Sequence, residues 1–452
     1  MRDFDLLIIG AGSGNSIIGP EHDDWNVAIA ERGAFGGTCL NVGCIPSKMF
    51  VYAAEVAAIA QHGPALGVHT SFDRADWTTI RDRVFDRIDP MAAGGREYRL
   101  GLDHVTVFDE AVHFVGPKQV AVANEIVSAE HIVIAAGARV AVPDYPGLAD
   151  VAFHTSDTIM RIDSVPERLL VIGAGYIAAE LGSVFGAFGS QVTFIVRGGT
   201  FLRGEDDDIR MRFTELYSHK YDVRCDTQVL AARQDGDEVV LEVSQGGDHF
   251  EVRGDELLVA TGRVPNSDDL NVASGGVDVD HQGYVITDRH LRTNVDGVWA
   301  LGDVTNPVQL KHVANHEARV VAHNLVHPDE MIEVDHRFIP HAVFGQPQVA
   351  AVGLTVRDCR ARSISYVAHV QPYSMTAYGW AMEDTESFVK VIADRRSRRL
   401  LGAHIIGPQA SILIHQLILG MTFDLTVDQM ARSQYYIHPA LSEVIEQALL
   451  EL

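Results

Sequence analysis

The sequence predicts an α/β architecture of two parallel-sheet domains followed by an α+β domain, and three observations predict it. An apolar, strand-like run leads into a glycine-rich turn near the N-terminus; the same arrangement returns near residue 170; and the stretch from about residue 336 has no such turn. At 452 residues the chain is too long for one core, which agrees with several domains.

In the first unit Phe4-Asp5-Leu6-Leu7-Ile8-Ile9 runs into Gly10-Ala11-Gly12-Ser13-Gly14, and the next strand, Val27-Ala28-Ile29-Ala30, ends at Glu31. This is a dinucleotide fingerprint. Its glycines let the backbone approach a pyrophosphate at a helix N-terminus, and the acid closing the second strand accepts hydrogen bonds from a ribose. Asn15 stands where the third glycine belongs, so helix and strand are expected to pack differently there. In the second unit Leu169-Leu170-Val171-Ile172 enters Gly173-Ala174-Gly175-Tyr176-Ile177-Ala178, followed by a helical stretch through Phe188 and a strand from Val192 to Val196. Two Rossmann-like fingerprints imply two dinucleotides. Where the first unit has Glu31 the second has Arg197, with Arg203 close behind. An acid there would repel a 2′-phosphate, whereas two guanidiniums clamp it, so FAD is expected at the first site and NADPH at the second.

Short strands ending in small residues close each unit: His131 to Gly137 and Leu257 to Arg263. Val298-Trp299-Ala300-Leu301-Gly302-Asp303 adds another, and an acid at its C-terminal end suits a hydroxyl-rich chain beside a bound cofactor. The expected division is therefore an FAD-binding domain over 1–146 and 265–335, an NADPH-binding domain over 147–264, and an interface domain over 336–452. The last alternates strands such as Phe388 to Ile392 with helices such as Ser411 to Met421.

Hydrophobic content of 47% with 21% charged residues describes a soluble globular chain, and the net charge of -25 argues against nucleic acid or an anionic membrane as partner. No unbroken apolar run reaches the ~18 residues of a membrane span. The first strand starts almost at once, leaving no room for a signal peptide, so a cytoplasmic location is expected. Four cysteines do not make an extracellular scaffold, and Cys225 and Cys359 read as small, partly buried residues. No metal-ligating set is expected.

Cys39 and Cys44 are different. Five positions apart, preceded by Gly36-Gly37-Thr38 and followed by Pro46 and Lys48, they can close a small disulfide ring. A ring beside an electron donor is opened and reclosed on each turnover, which is redox chemistry rather than stapling.

The segment 36–48, the run Ala260-Thr261-Gly262-Arg263, the pair Gly302-Asp303 and His438-Pro439 together resemble the pyridine nucleotide-disulphide oxidoreductases, in order along the whole chain. That group includes glutathione reductase, lipoamide dehydrogenase, mercuric reductase and mycothione reductase. The resemblance implies that Cys44 receives electrons from the flavin and that Cys39 attacks the substrate disulfide. Lys48 and Glu180 would pair near the flavin's reactive nitrogen, and Tyr176 would cover the nicotinamide. His438 and Glu443 would form an acid-base dyad, with His438 completing the partner subunit's site in an obligate homodimer. On the same basis FAD would touch Gly10, Gly12, Ser13, Gly14, Glu31, Gly37, Thr38, Cys39, Lys48, Gly137, Asp303, Gln309 and Lys311. NADPH would touch Gly173, Gly175, Tyr176, Ile177, Glu180, Arg197, Arg203 and Gly262. The chemistry agrees: a departing thiolate leaves well once protonated, and a histidine whose other nitrogen faces a carboxylate is suited to give and retake that proton.

Glutathione reductases carry an arginine pair at positions occupied here by Pro20 and Glu21, and mercuric reductases carry a C-terminal cysteine pair that is missing after Cys359. Three stretches resemble the mycothione reductase branch instead: Gly14 to Ile17, Val313 to Arg319 and Tyr378 to Thr385. The implied substrate is the small-molecule disulfide of mycothiol, a cysteine-capped amino-sugar inositol of little net charge. The rivals are a dihydrolipoamide dehydrogenase subunit of a 2-oxo acid dehydrogenase complex, another NADPH-dependent low-molecular-weight disulfide reductase, and a flavoprotein transhydrogenase or oxidase that uses no thiols.

Overall fold

The computed structural model describes residues 2–452. The chain divides into two compact units, one built from residues up to 49, 78–141 and 262–335, the other from 50–77, 142–261 and 336–452.

The first unit is organised on a seven-stranded sheet. Its parallel part runs Val105–Phe108, Val27–Ala30, Arg2–Ile9, Glu125–Ile134 in spatial order. Strand Glu125–Ile134 is long enough to serve two partners on one edge: its first half pairs antiparallel with Gln119–Val122, its second half parallel with Val298–Ala300. Leu6, Leu7 and Ile8 are all fully buried. Leu6 and Ile8 join one apolar layer, Leu7 and Ile9 the other, as alternation along a strand covered on both faces requires.

The connection from Gly10 to Val27 departs from expectation. No α-helix follows the fingerprint; the chain makes two 3₁₀ turns, Gly14–Ser16 and Pro20–His22. Gly14, Asn15 and Ser16 are weak helix formers, and Pro20 has no N–H to return to Ser16. The carbonyls of Asn15 and Ile18 are taken instead by Arg99 from the helix Trp77–Leu100.

The second unit contains a parallel sheet ordered Asp222–Arg224, Gln191–Ile195, Arg168–Ile172, Glu256–Val259. Here the helix does form, Tyr176–Ala187, starting directly after Gly175. A three-stranded antiparallel meander, Thr227–Asp235, Glu238–Gln245 and Asp248–Gly254, accompanies it. The C-terminal part is a five-stranded antiparallel sheet. Helices Ala410–Thr422 and Ser442–Leu450 share a core with it through Tyr373, Val389, Ile405, Leu417 and Ile445.

The helical run 37–66 meets the length and mean hydropathy of a membrane span, with Lys48 and Glu55 interrupting its apolar residues. A single such helix is weak ground for a membrane reading, and this one begins with the cysteine pair.

Candidate active site

The cysteine segment is shaped by close backbone contact. Gly36 and Gly37 both adopt the left-handed region, and Gly36 N–H donates to the Ala11 carbonyl at 3.0 Å. A Cβ on Gly37 would stand 2.8 Å from the Cα of Gly12, so the cysteine segment lies directly on the fingerprint loop. Asn41 Nδ2 ties the turn by donating to the carbonyls of Ala34, Phe35 and Gly37. The short helix Gly37–Asn41 carries Cys39, and Cys44 opens the next helix, Cys44–His62. Between them a Cβ on Gly43 would meet the Thr38 carbonyl oxygen at 2.8 Å.

Both cysteines are free thiols. Their ionisation is split. The hydrogen bond from the Cys39 thiol holds Cys44 down to about 7, helped by Lys48, its own helix-start N–H and Lys311, against the opposing pull of burial. That same bond, together with burial, pushes Cys39 far up. Cys44 is thus the standing thiolate and Cys39 the thiol that needs a base.

Around the pair, Lys311 Nζ donates to Ser13 Oγ at 3.0 Å, and Ser13 Oγ donates to Asn315 Oδ1 at 3.0 Å. Lys48 Nζ reaches Ser47 Oγ at 3.4 Å. Glu31 accepts the N–H groups of Ala11 at 2.8 Å and Gly33 at 2.9 Å. Gly10 has φ of 106°, and a Cβ there would strike the Ala135 carbonyl oxygen at 2.4 Å. Gly137 is also left-handed, Thr38 is exposed, and Gln309 donates to Tyr284 at 3.3 Å. Asp303 is drawn up by burial and accepts no hydrogen bond from any described residue. Its turn is fixed by Glu317, fully buried, whose Oε2 accepts the Gly302 N–H at 2.6 Å.

In the second unit a Cβ on Gly173 would meet the Ala260 carbonyl oxygen at 2.3 Å, while one on Gly175 would meet nothing within 4 Å. Tyr176 is partly exposed; Glu180 is buried and accepts the Phe344 N–H at 2.9 Å. Arg197 and Arg203 are exposed, and neither guanidinium is engaged by another described residue. His438 Nδ1 and Glu443 Oε1 are 2.6 Å apart, the carboxylate held low by this bond and also accepting the Ala440 N–H at 3.2 Å. Glu443 is covered while the His438 side chain is 72% exposed, so its second nitrogen is accessible. Dithiol and dyad are therefore each built locally, the first in unit one and the second in unit two.

The pyridine nucleotide-disulphide oxidoreductase family matches residues 4–318, and its dimerisation domain matches residues 339–449. The chain belongs to this family. It is 49% identical over 463 residues to a mycothione reductase of Mycobacterium tuberculosis, covering all of both chains. A mercuric reductase of Staphylococcus aureus is 32% identical, covering 95% of this chain and 79% of that one; a dihydrolipoyl dehydrogenase of Haloferax volcanii is 31% identical, covering 98% and 95%. Among solved structures the HOCl-induced flavoprotein disulfide reductase RclA of Escherichia coli superposes with a TM-score of 0.86 at 26% identity, covering 99% of each chain.

As a pyridine nucleotide-disulphide oxidoreductase the protein is a homodimeric flavoenzyme that uses FAD and NADPH and acts on the sulfur of a small-molecule disulfide. Ile412, Leu419 and Phe423 on one C-terminal helix and its end, with Tyr435 and Ile437, are exposed in the single chain, as a surface covered by a second copy would be. Sequence reasoning missed two supporting residues, Glu317 and Arg99. Glu317 sat inside a stretch noted only for resemblance, and Arg99 carried no local signal at all.

Proposed function

We propose that this enzyme reduces mycothione, the disulfide of mycothiol, to two thiols at the expense of NADPH in the cytoplasm. The observation that carries the proposal is the 49% identity to a mycothione reductase, which spans the whole of both chains. The absence of an arginine pair at Pro20 and Glu21 suits a substrate of little net charge.

The residues present fit both cofactors. In FAD's site Gly10 and Gly14 have no room for a Cβ, Glu31 retains lone pairs for a ribose, and Asp303 is a carboxyl lacking a donor among the described residues. Ser13, Gly37, Thr38, Gly137, Gln309 and Lys311 would complete that site, and it would span 1–146 and 265–335. The second loop, with Gly173, Gly175, Ile177 and Gly262, and the two unengaged arginines suit a nucleotide carrying a 2′-phosphate, within 147–264. Residues 336–452 would form the subunit interface. Lys48 and Glu180 would act beside the flavin ring and Tyr176 over the nicotinamide.

Bound there, FAD would supply the two-electron path from NADPH to the Cys39-Cys44 disulfide. The chain's own residues do the rest. Cys39, relieved of its proton by His438 of the other subunit, attacks one sulfur of the substrate and forms a mixed disulfide. The departing thiolate takes the proton back from His438, whose tautomer Glu443 fixes. Cys44, whose thiolate Lys48 and Lys311 favour, attacks the Cys39 sulfur, closes the ring and expels the second thiolate. The test is a parallel assay of NADPH and NADH against the disulfides of mycothiol, glutathione and lipoamide. A kcat/KM for mycothione with NADPH at least tenfold above every other combination is expected; preference for lipoamide with NADH would replace this substrate by that of the dihydrolipoyl dehydrogenases.

A further inference from the structure

In the first unit the fingerprint loop lacks the helix whose N-terminus would face a pyrophosphate. An α-helix brings about half a positive charge to that spot; a three-residue 3₁₀ turn brings little, and the chain as a whole is strongly acidic. Something else must supply the potential. The candidate lies behind the loop. Arg99, 7% exposed, donates from Nε to Asn15 Oδ1 at 2.8 Å and from Nη2 to the Asn15 carbonyl at 2.6 Å and the Ile18 carbonyl at 3.4 Å. All three acceptors are neutral. Among the described residues no carboxylate influences its ionisation; burial works against its charge, and the neighbouring Tyr98, whose ring centroid lies 5.3 Å from the guanidinium carbon, favours it. A buried cation without a counter-ion is costly, and such a group is expected to face an anion when the protein is loaded.

We propose that Arg99, acting through Asn15, stands in for the missing helix as the positive end of the site for FAD's diphosphate. Asn15 occupies the position of the third fingerprint glycine, immediately after the loop, and Arg99 fixes both its backbone and its side chain. With Oδ1 committed to Arg99, the Asn15 amide N–H groups remain as donors. Arg99 is a positioning residue: it orients the loop and sets its potential.

This inference rests on the diphosphate lying on the Gly10–Gly14 loop, and the two can fail separately. Gly10→Ala tests the loop itself and should lose flavin whatever Arg99 does. Arg99→Met removes only the charge, and a methionine in that buried place leaves packing nearly intact. Flavin release from the holoenzyme, followed by fluorescence, should be about tenfold faster in Arg99→Met, with the melting temperature of the flavin-free protein unchanged or raised. Arg99→Lys should restore slow release in part. A purely structural arginine would instead lower flavin retention and melting temperature together, without rescue by lysine. Asn15→Gly restores the full glycine pattern yet removes the side-chain acceptor of Arg99, leaving only the backbone bonds, and should also release flavin faster, while binding of 2′,5′-ADP at the second site stays unchanged in every variant. Wild-type release rates in Arg99→Met or in Asn15→Gly overturn the proposal.

Discussion

The two fingerprint units lay their parallel strands in the same order, and each adds an antiparallel meander, yet they meet their nucleotides with different means. The second opens a twelve-residue helix after Gly175 and ends its second strand next to a free arginine. The first opens no helix, closes on Glu31, and leans its loop against the cysteine segment. On the proposed assignment one unit holds a coenzyme alone and the other holds sulfur beside its own. The difference shows that a shared strand order fixes where a ligand sits, while the charge and chemistry around it come from residues added to each copy.

The contrast breaks most completely at sulfur. Cys39→Ser should lower disulfide turnover by about 10³-fold or more, while anaerobic bleaching of the flavin by NADPH persists; retained turnover would remove Cys39 from the reaction. Next comes the backbone. Gly10→Ala puts a side chain at positive φ against the Ala135 carbonyl and should destabilise the unit by about 2 kcal/mol or more. Gly175→Ala, with open space around it, should stay within about 0.5 kcal/mol in denaturant unfolding. Equal losses at the two glycines would erase the distinction between the loops. Arg197→Glu then gives the second unit the first unit's acid. KM for NADPH should rise about 10- to 100-fold with NADH little changed, as expected for a lost charge-assisted contact. The smallest effect is on the thiolate. In the reduced enzyme, where the Cys39 thiol donates to it, Cys44 titrates at about 7, so its thiolate absorbance should fall as pH drops through that value. Lys48→Met removes one of the charges that hold it there, so the thiolate absorbance of the reduced enzyme should titrate at higher pH; an unmoved midpoint would remove Lys48 from the causes.

What the sequence displayed was local. Strand Arg2–Ile9 could be read because burial on both faces demands an unbroken apolar run, and Gly10 because positive φ at a tight turn favours one residue type. His438 and Glu443 were expected as a dyad by resemblance, and the structure places Nδ1 and Oε1 2.6 Å apart. The helix expected after Gly14 failed for the opposite reason: Asn15 and Ile18 are claimed by an arginine more than eighty residues away, and no local pattern carries that information. Glu317, which sets the turn bearing Asp303, was hidden in the same manner, since its acceptor role exists only once Gly302 has been brought to it. Lys311 was expected at the flavin by resemblance, but its bond to Ser13 emerges only from the folded chain.

The abutment of Gly37 on Gly12 has a consequence for anyone transplanting this chemistry. The sulfur pair is not a cassette that could be spliced into any nucleotide-binding protein, because its platform meets the fingerprint loop along a seam that has no room for a methyl group on Gly37. A graft would have to carry both loops as a single piece, with the carbonyl of Ala11 still stitched to Gly36.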